Sequence, residues 1–164
     1  MIPYSNSPFE RTICDCGPCT EHCHEQPGSM APGDYERIAR FLGKSPEDVA
    51  PMFVASPGAS VMDRLTGKVR YVNTIVPTVM PGTGRCIFLD TDNRCSIHPV
   101  SPYGCAVFDQ HLDDDECNKR STWMVHAIEK SITYRLLRDS LPLARVYNPR
   151  GSMTSPRLVQ LFKK

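Results

Sequence analysis

The sequence predicts a small α+β domain stabilised by metal, with irregular cysteine-rich segments, a few helices and a short sheet. Three observations point there. Eight cysteines occur in 164 residues, and four of them (Cys14, Cys16, Cys19 and Cys23) fall within ten residues. The stretch from Gly67 to Met80 is rich in β-branched and aromatic residues, which suit strands. Apolar residues recur at helical spacing after Asp34 and again after Ser121.

Taken in order, residues 1–32 are rich in Pro, Gly and Cys and lack apolar periodicity, so they read as irregular backbone around a site. Asp34 is placed to cap a helix whose stripe is Tyr35, Ile38, Ala39, Phe41 and Leu42, and Gly43 ends it. Ser45-Pro46-Glu47-Asp48 starts a second helix, with proline at its first position. Pro51 and then Ser56-Pro57-Gly58 keep that helix short or bent. Val69 to Val79 supplies one or two strands, Pro81 to Gly84 a turn, Cys86 to Leu89 another strand-like run, and Asp90 to Asn93 a turn. From Ser121 a longer helix carries Val125, Ile128, Ile132 and Leu136 on one face. The predicted division is a metal-binding domain over 1–143 and a basic extended tail over 144–164, which holds five basic residues and no acidic one.

The composition narrows the setting. A chain of this length can bury a real core. The N-terminus lacks a basic segment followed by an apolar run, and no stretch approaches eighteen apolar residues. The expectation is therefore a cytoplasmic protein without membrane contact, whose reduced cysteines favour metal thiolates over disulfides. A Cys-x-Cys step also resists closure as a disulfide, because its short loop rarely reaches the required sulfur geometry. The net charge of +1 gives no pull toward nucleic acid, and the acidic run Asp113 to Glu116 reads as a solvated loop. The partner expected is a protein, met through the basic tail.

The cysteine spacing admits two chemistries. Only Cys16-Gly17-Pro18-Cys19 forms a strict two-residue knuckle, and the later Cys86, Cys95, Cys105 and Cys117 lie too far apart for a second one. A two-knuckle zinc ribbon is excluded; a zinc site drawing on both groups is not. The dense run from Cys14 to Cys23 loosely resembles those that grip iron–sulfur clusters, and a [4Fe–4S] cluster is the favoured cofactor, with zinc as the alternative. All eight cysteines are candidate metal ligands. Cys16, Cys19, Cys95 and Cys105 lead, Cys14, Cys23 and Cys86 follow, and Cys117 comes last. They can serve two four-ligand centres, or one cluster with a few free thiols.

Beyond spacing, Cys86-Ile87-Phe88-Leu89, Arg94-Cys95-Ser96-Ile97-His98 and Pro102-Tyr103-Gly104-Cys105-Ala106-Val107-Phe108 resemble the YkgJ-type cysteine-cluster family, described as zinc- or iron-chelating domains. The family pattern runs Cys-Gly-x-Cys-Cys, Cys-x-Phe-Leu, Cys-Ser-Ile-Tyr and Arg-Pro-x-x-Cys-Arg-x-Phe, and the resemblance covers roughly 14–108. It implies that Cys16, Cys19, Cys86, Cys95 and Cys105 belong to the metal site. This chain departs from the pattern. Thr20 stands where the family doubles its cysteine, with Cys23 as a replacement ligand. His98 replaces the tyrosine, and Ser101 and Ala106 replace two arginines that would offset thiolate charge. Flagellin lysine methylases carry a similar module in much longer chains, and methyl transfer is not carried over from them.

Among the histidines, His22 lies inside the tight cysteine run and is the leading additional ligand, with His24 and His98 next; His111 and His126 read as surface or packing residues. The chain contains no dinucleotide fingerprint, P-loop, H-E-x-x-H or G-x-S-x-G, so an active site of its own is not the expectation. Three functions remain: an iron–sulfur protein in electron transfer or accessory to a partner enzyme, a zinc-stabilised interaction module, and a metal-dependent enzyme.

Overall fold

The computed structural model describes residues 7–12, 14, 16–25 and 27–144; the side chains of Pro18, His22 and Glu25 are outside that description. Among the described residues, six α-helices accompany one two-stranded sheet. The helices are α1 (Gly17–Glu25), α2 (Asp34–Phe41), α3 (Pro46–Val49), α4 (Tyr103–Ala106), α5 (Asp114–Lys130) and α6 (Ile132–Ser140). The antiparallel strands are β1 (Phe53–Met62) and β2 (Val69–Pro77). This is the α+β class expected. The predicted tail over 144–164 lies, from residue 145 onward, outside the described residues.

The core gathers one face of each element. Tyr35, Ile38 and Ala39 from α2, Phe53 from β1, Ile75 from β2, Tyr103 from α4 and Val125 and Ile128 from α5 are all buried, together with Phe88, Ile97 and Val107 from the connecting segments. The Tyr103 ring stacks on Trp123 at 5.0 Å between centroids, joining α4 to α5. Tyr134 reaches in from α6: its hydroxyl donates to the Met30 carbonyl (2.7 Å) and accepts from the Ile75 N–H (2.8 Å), which satisfies two buried backbone groups far apart in sequence.

Several local expectations are corrected. The N-terminal cysteine run is partly helical: Gly17–Glu25 forms α1, because Pro18 falls in the first turn, where its missing N–H costs nothing. Gly33, not Asp34, occupies the cap of α2. Asp34 is buried instead, accepting from Ala31 N (2.9 Å) and Tyr103 N (2.8 Å) and pairing with Arg37 (2.9 Å). Ser56-Pro57-Gly58 does not end a helix. It forms the bulge of β1, with the register shift between Ser56 and Ala59, where a residue lacking an N–H is accommodated. The long C-terminal helix begins at Asp114 rather than Ser121. Asp113 caps it through Glu116 N, so the acidic run is a helix start with its negative charge on the positive end of the dipole. It also breaks at Ser131, whose side chain caps α6, and this rotates Ile132 and Leu136 into solvent at 65% and 68% exposure instead of continuing the Val125–Ile128 face.

Candidate metal centres

The eight cysteines are free thiols, and the fold sorts seven of them into two groups. The first is compact. The ligating atoms of Cys14, Cys16, Cys19 and His111 all lie within 4.8 Å of one another, the one such group of three or more among the described residues. Cys14 Sγ and Cys19 Sγ are 3.5 Å apart, as are Cys16 Sγ and His111 Nε2.

Local structure explains this convergence. The N-terminal segment is laced to the loop after α4: Thr12 N donates to Ala106 O (2.7 Å), and Thr12 Oγ1 donates to Asp109 Oδ2 (2.6 Å). Thr12 Oγ1 also accepts from Cys14 N at 3.2 Å. The other oxygen of Asp109 accepts from His111 N (2.8 Å), so one carboxylate aligns both the cysteine segment and the histidine loop. Phe9 adds a further tether beneath the Arg120 guanidinium, 5.1 Å from its ring centroid. Cys16 immediately precedes α1 and Cys19 lies in its first turn, so the three-residue step puts both on one side of the helix. The Gln110 N–H donates to Cys19 Sγ (3.4 Å). That bond pulls the Cys19 thiol down, but desolvation and the neighbouring Cys16 and Cys14 thiols outweigh it and leave Cys19 at about 11. Crowded thiols with nothing to neutralise them hold their protons; a cation is what would release them. Thr12 and the His111 N–H together keep the Asp109 carboxyl below its usual range.

The second group lies deeper and contains Cys23, Cys86, Cys95 and Cys105. Cys86 N donates to Cys23 O (2.7 Å), and Cys95 pairs with Leu89 in a bridge that lays it beside the Cys86 segment. Cys105 sits in α4, pressed against Gly28, which follows α1. Cys105 feels the charge of the other three thiols, and Cys23 also acts on Cys86 and Cys95. Burial, then the neighbouring thiols, pushes Cys86 up to about 12 and Cys105 and Cys95 upward as well, while Cys23 is raised by burial alone.

Arg11 is one cation beside the inner thiols, although burial still leaves Cys95 raised. It donates to Ser101 Oγ (2.9 Å) and His98 O (2.6 Å), and its charge favours ionisation of Cys95. Although Ser101 stands in place of an arginine of the family pattern, a guanidinium reaches this place from the N-terminal segment.

The leading ligand candidates are thus divided, Cys16 and Cys19 going to the outer group and Cys95 and Cys105 to the inner. Cys117 joins neither; it lies at the start of α5, where burial and then Asp114 raise its thiol. His111, read from sequence as a surface or packing residue, belongs to the compact group. It is exposed, but its imidazole faces Cys16. Nothing in the spacing flagged it, since it lies 95 residues from Cys16. His24 and His98 are in neither group, and the side chain of His22 lies outside the described residues.

Comparison with known proteins bears on metal binding. A family model described as "Putative zinc- or iron-chelating domain" matches residues 15–127. The chain belongs to this cysteine-cluster family. The matched span takes in Cys16 to Cys117 and His111, so both groups fall within it apart from Cys14. No curated protein and no solved structure matches the chain. Metal binding through a cysteine cluster is the property the family and the geometry share. Among the described residues, no helix is long and apolar enough to cross a membrane.

Proposed function

We propose that this chain is a metal-stapled accessory or interaction module whose outer centre, Cys14, Cys16, Cys19 and His111, holds a single tetrahedral ion, with zinc the best fit. The observation that carries the reading is the spacing of the donors. With zinc–sulfur bonds of about 2.3 Å and zinc–nitrogen bonds of about 2.05 Å, a tetrahedron spaces two sulfurs by about 3.8 Å and a sulfur and a nitrogen by about 3.6 Å. The observed pairs, both 3.5 Å, come close to these separations. A cluster of several metals, each with one protein ligand, would need its sulfurs farther apart.

Three thiolates and an imidazole fill four positions and leave none for a substrate, which is the pattern of a structural rather than a catalytic site. Such an ion would tie residues 14–19 to residue 111, so its binding free energy would become folding free energy for the connection between them. A stapled surface of this kind suits docking to a protein partner, with the basic segment over 144–164 supplying complementary charge.

The iron–sulfur reading, with electron transfer or service to a partner enzyme, draws support from the four further thiols of the inner group. Anaerobic purification followed by metal and sulfide analysis tests the choice. The outer centre predicts bound zinc that His111→Ala lowers sharply. Unchanged metal content in His111→Ala would remove the outer centre from the function.

A further inference from the structure

We propose that residues 7–12 form a strap whose docking is coupled to the outer centre, with Arg11 as its positioning residue. Metal at the outer centre holds the strap down, and loss of that metal lets it lift. The inference rests on the outer-centre reading and goes beyond it, since neither Phe9 nor Arg11 offers a metal ligand.

The strap is gripped at three successive points before the first donor. Phe9 packs at the edge of the core, its ring under the Arg120 guanidinium at 5.1 Å. Arg11 reaches the end of the short helical turn His98–Val100, donating to His98 O (2.6 Å), Pro99 O (3.4 Å) and Ser101 Oγ (2.9 Å). Carbonyls that end a helical turn lack partners within it, and a rigid guanidinium fork spanning several acceptors fixes one place for the backbone that carries it. Thr12 then bonds to Ala106 O and to the Asp109 carboxylate, and its hydroxyl accepts from Cys14 N. Cys14 is the donor this chain of contacts places. Cys16 and Cys19 are placed by α1, and His111 by its own loop.

These contacts are weak one by one. The bonds from Arg11 to His98 and Pro99 are exposed to water, where a hydrogen bond gains little against the entropy of ordering the segment. An ion held by Cys14 and His111 together closes the circuit. It ties the end of the strap to the same loop that Thr12 grips through Asp109. Docking and metal binding then share one residue, so each favours the other by the same factor. The opposing reading is a strap held by Phe9 and Thr12 alone and indifferent to metal.

The test compares the full chain loaded with zinc and stripped by a chelator, with trypsin as the probe. The bond after Arg11 carries the Thr12 N–H that Ala106 O holds, so trypsin cuts there only when the strap leaves its seat. Zinc should slow that cut by about tenfold or more. The cut after Arg64, next to Leu65 at 97% exposure in the hairpin turn, should keep its rate and serves as the internal reference. His111→Ala in the same zinc should lose the protection, which assigns it to the outer centre and not to metal bound elsewhere. In competition with a chromogenic zinc chelator, Arg11→Met and Phe9→Ala should each weaken the His111-dependent zinc by about tenfold, a usual size for coupled sites. Equal cutting after Arg11 in loaded and stripped wild type overturns the coupling and leaves the outer centre standing. So does zinc affinity within about twofold of wild type in both variants, since coupling must show from either side. Wild-type metal content in His111→Ala removes the outer centre and the coupling with it. Digestion of the wild type needs no substitution, so it decides the question even if a variant fails to fold.

Discussion

Replacing Gly28 with alanine should destabilise the protein and disturb the inner thiols together, because one backbone crossing serves both. A Cβ at position 28 would lie 2.5 Å from Cys105 N, 2.5 Å from Cys105 Sγ and 2.7 Å from Gly104 C. Ordinary carbon contacts lie at about 3.5–4.0 Å, so the two segments must part by about 1 Å. Two of the three clashing atoms are backbone, which cannot rotate away. Overpacking of this kind costs about 1–3 kcal/mol. Separation also strains the Gly104 N to Ser29 O hydrogen bond of 2.7 Å, whose loss is worth about 0.5–1.5 kcal/mol. Against this, the extra methyl restricts the unfolded chain and returns about 0.4–1 kcal/mol. The net expectation is a loss of about 0.5–4 kcal/mol, or a fall in Tm of about 1–16 °C at about 2–4 °C per kcal/mol. Thermal unfolding of the metal-stripped chain measures the packing part alone, and metal titration of the same variant measures the displacement of Cys105. A Gly28→Ala variant with wild-type Tm and wild-type metal content would refute the claim that this crossing positions the cysteine.

Two further outcomes are expected. Tyr134→Phe removes the hydroxyl that joins Met30 O to Ile75 N and leaves both buried groups unpaired, which should cost about 2–4 kcal/mol in denaturant unfolding without lowering metal content; a change within 0.5 kcal/mol would show that water takes over both bonds. Metal affinity should rise with pH across the neutral range. Cys19 at about 11 and Cys86 at about 12 are both raised above the ordinary thiol value, so both are protonated in the metal-free protein at neutral pH, and the incoming ion must displace those protons. Each displaced proton adds about tenfold in affinity per pH unit below its thiol pKa, so a pH-independent dissociation constant between pH 6 and 8 would contradict the protonated resting state.

The local chemistry of this chain was legible in its sequence. A cysteine run too dense for disulfides, the β-branched stretch that became β2, the Ser45-Pro46 helix start and the Tyr35–Ile38–Ala39 stripe all follow from covalent geometry and short-range periodicity. Where local signals competed, the sequence misled. Pro57 read as a helix stop because proline breaks helices and strands alike, and only the pairing with β2 shows a bulge. Asp113 to Glu116 read as a solvated run because a capping acid and a loop acid look the same until the helix beyond them is seen. The periodicity through Val125 to Leu136 continued across Ser131, where the chain turns and takes Ile132 out of the core.

Tertiary structure alone decided how the candidate donors are grouped. Spacing suggested that neighbours in sequence share a centre, yet Cys23 parts from Cys19 one helical turn earlier, and His111 joins cysteines some 95 residues away. The reason is physical. A ligand set is defined by distances of a few ångströms between side-chain atoms, and those distances are set by which loops the core draws together: the Thr12–Asp109–His111 lacing on one side and the Gly28–Gly104 crossing on the other.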